Sequence, residues 1–225
     1  MEKGGRMSLG GESREERIER IYGRLKGYYG AMHWWPGDSA FEIMVGAILT
    51  QNTNWRNVER ALENVKRENC LEPAALWKCS DSDIERMIRP SGFYRVKTRR
   101  LRAFLGMLMR EYDGDVQRLC DTETYILRER LLAVSGIGEE TADSMLLYGA
   151  GKTIFVIDNY TRRILKRHGI IKDDWSYGDI QTLCMGTGEQ TAEKYRDFHG
   201  YIVMTGKEFC RKVPRCGGCP LEKIP

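Results

Sequence analysis

Apolar residues in this chain recur mostly with the period of an α-helix. Ser13-Arg-Glu-Glu16 has the form of a capping box and predicts a helix running to about Tyr29. His33-Trp34-Trp35-Pro36-Gly37 interrupts the pattern. Phe41, Met44, Val45 and Ile48 then fall at i, i+3, i+4 and i+7, the stripe of a helix facing a core. Ile43, Gly46, Ala47 and Leu49 cover much of the remainder, so this helix is expected to be buried nearly all round. Trp55 to Arg67 continues helically, and Ser80 to Ile88 is a short helix closed by Pro90-Ser91-Gly92. Leu101, Phe104, Leu105, Leu108 and Tyr112 mark another amphipathic helix, followed by Thr124 to Ala133, Glu139 to Tyr148 and Asn159 to Arg167. Thr153 to Ile157 is the one β-like run, too short and solitary to found a sheet. The pattern predicts an all-α fold with no internal repeat.

Composition changes this picture little. The 225 residues are 41% hydrophobic and 30% charged, as in an ordinary globular protein. No apolar run approaches the roughly 20 residues of a membrane-spanning helix. Met1 to Glu12 is polar and Gly-rich, without an apolar core, and is expected to be a flexible leader rather than a secretory signal. An intracellular monomer with no membrane contact is the expectation.

The net charge of +4 is too mild to imply a polyanionic partner, so clustering matters more. Arg95, Lys97, Arg99, Arg100 and Arg102 crowd one stretch, Arg162, Arg163, Lys166 and Arg167 a second, and Lys207, Arg211, Lys212 and Arg215 a third. Singly each would be a solvated helix face; beside the motif below they suit phosphate contacts. Of seven cysteines, Cys70, Cys79, Cys120 and Cys184 are scattered and read as incidental thiols. Cys210, Cys216 and Cys219 are bunched, which inside a cell suggests a metal site rather than disulfides.

The segment Leu131-Leu-Ala-Val-Ser-Gly-Ile-Gly138-Glu-Glu-Thr-Ala142 is the most informative. Gly136 and Gly138 flank Ile137 in a tight turn between helices, and without Cβ atoms they let a phosphate approach backbone N–H groups. The helix opening near Glu139 adds its positive end. Val134, Gly136, Ile137 and Gly138, with Lys97 and Arg99, are therefore the candidate DNA-backbone contacts. An ordinary helix end followed by a turn would also accommodate Gly-x-Gly alone.

Val134-Ser-Gly-Ile-Gly138-x-x-Thr-Ala142 followed by Val156-Ile-Asp158 resembles the helix-hairpin-helix base-excision glycosylases of the endonuclease III superfamily. Leu49-Thr-Gln-Asn-Thr53, Gly92-Phe-Tyr94 and the C-terminal cysteines fall in the same order. The resemblance implies two helical lobes flanking a DNA-binding cleft. One would be residues 38–150, ending in the hairpin; the other would be 13–37 plus 151–225, ending in the cysteine loop. It also implies that Asp158 stands at the mouth of a base pocket. There a carboxylate stabilises the oxocarbenium character that glycosidic cleavage builds on the sugar, or activates water. The same residue would serve as a helix N-cap, and both roles are compatible.

Bifunctional members of that family carry a lysine two residues after the second hairpin glycine, whose amine forms a Schiff base with the sugar. This chain has Glu140 there, which argues against lyase chemistry. Lys152 is the nearest alternative amine, without motif support. Trp34-Trp35-Pro36 and Trp55 supply aromatic faces suited to stacking a flipped, cationic alkylated purine, and together with Glu140 they make the chain most similar to the 3-methyladenine glycosylase branch. Packing tryptophans are the competing explanation. Gln51, Phe93 and Tyr94 match the positions of residues that wedge into the gap left by the flipped nucleotide, although a turn aromatic capping a helix suits the latter pair as well.

The cysteine tail resembles the iron–sulfur loop of endonuclease III relatives, with Cys210, Cys216 and Cys219 in register and Pro225 where a fourth cysteine would stand. A [4Fe-4S] cluster with water, another thiol or the terminal carboxylate as fourth ligand is the expectation. Loss of the cluster, or zinc, are the alternatives. The combined reading is a monofunctional glycosylase acting on damaged double-stranded DNA. A mismatch or oxidised-pyrimidine glycosylase on the same scaffold, and a non-catalytic DNA-binding repair module, remain open beside it.

Overall fold

The computed structural model describes residues 12–32, 34, 35 and 37–224. Residues 1–11 of the expected leader, His33, Pro36 and Pro225 lie outside the described residues. Twelve α-helices and no strand occur among the described residues, and the all-α expectation holds. The Thr153–Ile157 run is neither helix nor strand, and is buried from Ile154 to Ile157.

The helices fall into two compact units. One contains the described parts of Met1–Met32, Ile157–Gln190 and Phe198–Pro225. It holds α1 (Arg14–Tyr29), α10 (Asn159–Arg167), α11 (Tyr177–Met185) and most of α12 (Ala192–Glu208). The capping box opens α1 as predicted: Glu16 N–H donates to Ser13 Oγ at 3.1 Å and Ser13 N–H to Glu16 Oε2 at 2.7 Å. Ile18, Ile21 and Leu25 of α1 are fully buried, each contributing about 1.5–3 kcal/mol of hydrophobic stabilisation. Tyr22 meets Phe198 edge-on, ring centroids 5.4 Å apart, and Tyr29 stacks on Tyr201. Helices α10 and α12 approach so closely that a Cβ at Gly206 would lie 2.2 Å from the Tyr160 ring.

The other unit, His33–Val156 with Thr191–Asp197, contains the first turns of α12 and eight helices of its own. These are α2 (Ala40–Leu49), α3 (Trp55–Arg67), α4 (Pro73–Lys78), α5 (Asp81–Ile88), α6 (Tyr94–Tyr112), α7 (Val116–Asp121), α8 (Thr124–Leu132) and α9 (Glu139–Ser144). A 3-10 turn, Arg89–Ser91, precedes α6, and α9 runs on as a π-helical turn, Met145–Gly149. The division falls at 156/157, and just before it Phe155 packs edge-on against Tyr195 of the same unit, 5.6 Å between centroids. Trp35 belongs here too, packed on Trp55 and Tyr148. Helix α2 is buried nearly all round: Phe41, Met44, Val45, Ala47, Ile48 and Leu49 are each at most 4% exposed.

Candidate functional site

Residues 131–149 fold as helix, tight turn and helix. The turn requires glycine at one position for two reasons. Gly136 has φ +86°, and a Cβ there would lie 2.5 Å from Arg100 Cγ. Gly138 is different. Its φ of −94° suits any residue, and a Cβ would meet nothing within 4 Å, so its outer face is open. Val134 and Ile137 are buried beneath the turn. Arg128 Nε and a terminal guanidinium nitrogen reach the fully buried Asp143 at 2.7 and 3.1 Å, clamping α8 to α9. Glu140 is exposed in the first turn of α9.

Gln51 is turned onto this hairpin. Its amide donates to the Gly136 carbonyl at 3.1 Å and to Thr141 Oγ1 at 3.0 Å, while Arg100 donates to its Oε1. The unbound side chain is thus held on the turn that would meet the phosphate. Arg99 is exposed. Lys97 is not available to phosphate, which corrects its expected role. It is 1% exposed, and its ammonium donates to the carbonyls of Leu49 and Ser91, both at 2.7 Å. Burial, with the Arg100 charge adding, pushes its pKa down to about 8. Lys97 therefore ties the Gln51 segment to the Phe93 segment from inside. Phe93 is 66% exposed at φ +47°, a backbone conformation costing about 1 kcal/mol for a non-glycine residue. Tyr94 lies under Arg89 and Arg95.

Trp35 stacks on Tyr148 with centroids 4.8 Å apart and planes 21° apart, and meets Trp55 edge-on at 5.4 Å. The π-helical turn brings Tyr148 to this cluster, a residue the sequence pattern had assigned only to a helix. The indole N–H groups of Trp35 and Trp55 are buried without an acceptor among the described residues, a state that calls for a ligand or another explanation. Trp34 is half-buried.

In the other unit Asp158 caps α10. Its Oδ1 accepts from the backbone N–H and the hydroxyl of Thr161, at 2.7 and 2.8 Å. Its Oδ2 faces His199 Nε2 at 3.6 Å, an ion-pair distance too long for a hydrogen bond. Both residues are buried. Burial alone would raise the Asp158 pKa. The imidazole of His199 and the two Thr161 donors outweigh that, and the carboxyl is held below the ordinary aspartate value of 3.8. His199 was absent from the sequence reading; it rides on α12, a helix the periodicity did not announce.

Cys210, Cys216 and Cys219 line one cavity of about 320 Å³ with Arg167, Phe209 and Glu222. Cys210 is buried, Cys219 half-buried and Cys216 exposed, and Arg167 reaches Cys210 Sγ at 3.2 Å. Burial, with Cys210, Cys216 and Glu222 adding against a hydrogen bond from Leu221 N–H, raises the Cys219 pKa. Among the described residues no three His, Cys, Asp or Glu side chains stand in metal-holding geometry.

Residues 45–190 match the HhH-GPD superfamily of base excision DNA repair proteins. The chain is 40% identical over 215 residues to a putative DNA repair glycosylase of Methanocaldococcus jannaschii, covering 95% of this chain and 97% of that protein. It is 27% identical over 183 residues to the endonuclease III of Thermotoga maritima, 81% of this chain and 80% of that one. Among solved structures, the 3-methyladenine DNA glycosylase of H. pylori bound to 1,N6-ethenoadenine superposes with a TM-score of 0.71 at 27% identity, covering 88% of this chain and 98% of that one.

Proposed function

Since the chain belongs to the HhH-GPD superfamily of base excision DNA repair proteins, we propose that it is a monofunctional DNA glycosylase that releases an alkylated purine such as 3-methyladenine by hydrolysis. Glycosylase action on DNA goes with the family; the hydrolytic outcome and the lesion class rest on this chain's own residues. The observation that carries the reading is Asp158, a buried carboxylate held ionised at a helix N-terminus, combined with Glu140 in place of an imine-forming lysine. The N-glycosidic bond breaks as positive charge develops on the sugar, and the Asp158 carboxylate stabilises that charge. Water adds to the anomeric carbon, its proton passing to solvent, and the base departs with the bond electrons. An alkylated purine is cationic, so it leaves readily without an acid and is drawn to aromatic faces. The H. pylori relative, with its bound adducted adenine, supports the same class.

The T. maritima likeness favours a second reading, an endonuclease III-like enzyme, with a mismatched or oxidised pyrimidine as its substrate. The two separate on one panel of duplexes carrying 3-methyladenine, uracil, thymine glycol or T·G. Release of the alkylated purine alone, with no borohydride-trapped protein–DNA adduct, is expected. Trapping on any substrate overturns the hydrolytic assignment, and release only of thymine glycol overturns the lesion class. Binding without release of any base would leave a non-catalytic DNA-binding module.

The hairpin provides a sharper binding test. Gly138→Ala meets no steric obstacle in the fold, so its melting temperature should match wild type. The added methyl group would stand between the α9 N–H groups and a phosphate, raising the Kd for duplex DNA by about tenfold, the equivalent of about 1.4 kcal/mol. Unchanged affinity in titrations at fixed salt would remove the hairpin from the interface.

The cysteine cavity is proposed as the seat of a [4Fe-4S] cluster held by Cys210, Cys216 and Cys219. The fit is partial: three thiols border one cavity, yet Cys216 is exposed and Pro225 takes the fourth family position. When bound, such a group would be structural, ordering the loop that carries Arg211, Lys212 and Arg215. Anaerobic reconstitution with iron and sulfide should give a broad visible absorption that Cys219→Ser abolishes. No iron retained by wild type would sink the assignment.

A further inference from the structure

We propose that Cys70 and Cys79 form an oxidisable pair that closes to a reversible disulfide, a modification site separate from the hairpin, the base pocket and Asp158. By sequence these thiols are unrelated, but folding sets their sulfurs 3.1 Å apart. Both are reduced and half-buried, within reach of a small oxidant. Their backbones are already placed. Cys70 N–H bonds the Val65 carbonyl beyond the end of α3. Cys79 ends α4, and its neighbour Ser80 caps α5. Arg102 donates to the carbonyls of both Cys79 and Trp77. Shortening the contact to a bond of about 2.05 Å asks roughly 1 Å of side-chain movement.

Burial, and then Cys70 alongside, pushes the Cys79 thiol up to about 11, so Cys79 is a poor first nucleophile. Cys70 gives its proton to solvent and attacks one sulfur of a low-molecular-weight disulfide, expelling the first thiolate. Cys79 then loses its proton and attacks the Cys70 sulfur, expelling the second. Two electrons leave the cysteine pair and reduce the small disulfide to two thiols, which take up the two protons. The closed ring encloses α4 and joins the end of α3 to the start of α5. Its effect is to restrict the unfolded chain.

The test uses the full chain, oxidised with glutathione disulfide, alkylated and digested with trypsin. Cleavage after Arg67, Lys78 and Arg86 releases the two cysteines on separate peptides, 68–78 and 79–86. The expected product is these two peptides joined, two hydrogens lighter than their sum and separated again by reduction. The oxidised protein should melt roughly 5–10 °C higher than the reduced one. Cys79→Ser should give neither the linkage nor the rise, stopping at a glutathione adduct on Cys70 with base release unchanged. The proposal is overturned if wild type yields both peptides alkylated, retains glutathione on either, or joins either to a different cysteine.

Discussion

Asp158→Asn is expected to slow single-turnover base release by about 10³-fold while leaving affinity for damaged duplex within about twofold. The substitution is nearly isosteric and keeps the cap. An asparagine oxygen can still accept from the Thr161 N–H and hydroxyl, and Asn caps helices as well as Asp. What disappears is the negative charge facing His199 and, in the reaction, the sugar cation. The fold should therefore persist, short of what the ionised carboxylate contributes, while the chemical step falls greatly. Full activity in this variant would refute the catalytic assignment. The pH dependence follows with a definite sign. The folded pKa lies below the ordinary value of 3.8, so the stability contributed by ionised Asp158 is present above 3.8 and is lost only as pH falls through the lower folded value. Base release should accordingly show no step from this group between about pH 5 and 8. A step there that vanishes in Asp158→Asn would contradict a depressed carboxyl.

The parts of the fold with strong helical period were legible: α1 with its capping box, the buried α2, and the stripe of α6. Helix α12 was not. Tyr195, Phe198, Ile202 and Thr205 do recur at helical spacing, but Gly200 and Gly206 interrupt them, and Gly206 is there because Tyr160 leaves no room for a Cβ. With that helix went His199, whose approach to Asp158 no local motif encodes. Lys97 was misread from its basic neighbours. It stands four residues before Leu101 and seven before Phe104, on the apolar stripe, and that register was the signal of a buried amine. The hairpin glycines declared a turn, but Arg100 and Gln51 packing on it are long-range facts. The Cys70–Cys79 contact spans only nine residues, but no motif marks it; it is made by the way the α4 segment folds back between α3 and α5.

Asp143→Ala is expected to cost about 3–5 kcal/mol of stability, the largest structural effect foreseen for any residue of the hairpin. Asp143 is 0% exposed and accepts two hydrogen bonds from Arg128, at 2.7 and 3.1 Å, a bidentate geometry in a place water does not reach. Deleting the carboxylate takes this bidentate partner from the guanidinium, which also lies 3.7 Å from the half-exposed Glu139. The cost is that of a largely buried charge (the Arg128 side chain is 20% exposed) losing a counterpart rather than the worth of the pair itself. Replacing both residues by apolar ones of similar volume, Arg128→Met with Asp143→Leu, should accordingly recover most of the loss. Urea titration of the single and double variants distinguishes these cases. A single variant within about 1 kcal/mol of wild type would show that the clamp contributes little. DNA affinity is the second readout. Gly136 and Gly138 are untouched in both variants, so the double variant, with its frame restored, should bind duplex nearly as wild type does. If it refolds fully and still fails to bind, the ion pair itself, and not only the packing of α8 on α9, sets the hairpin's geometry.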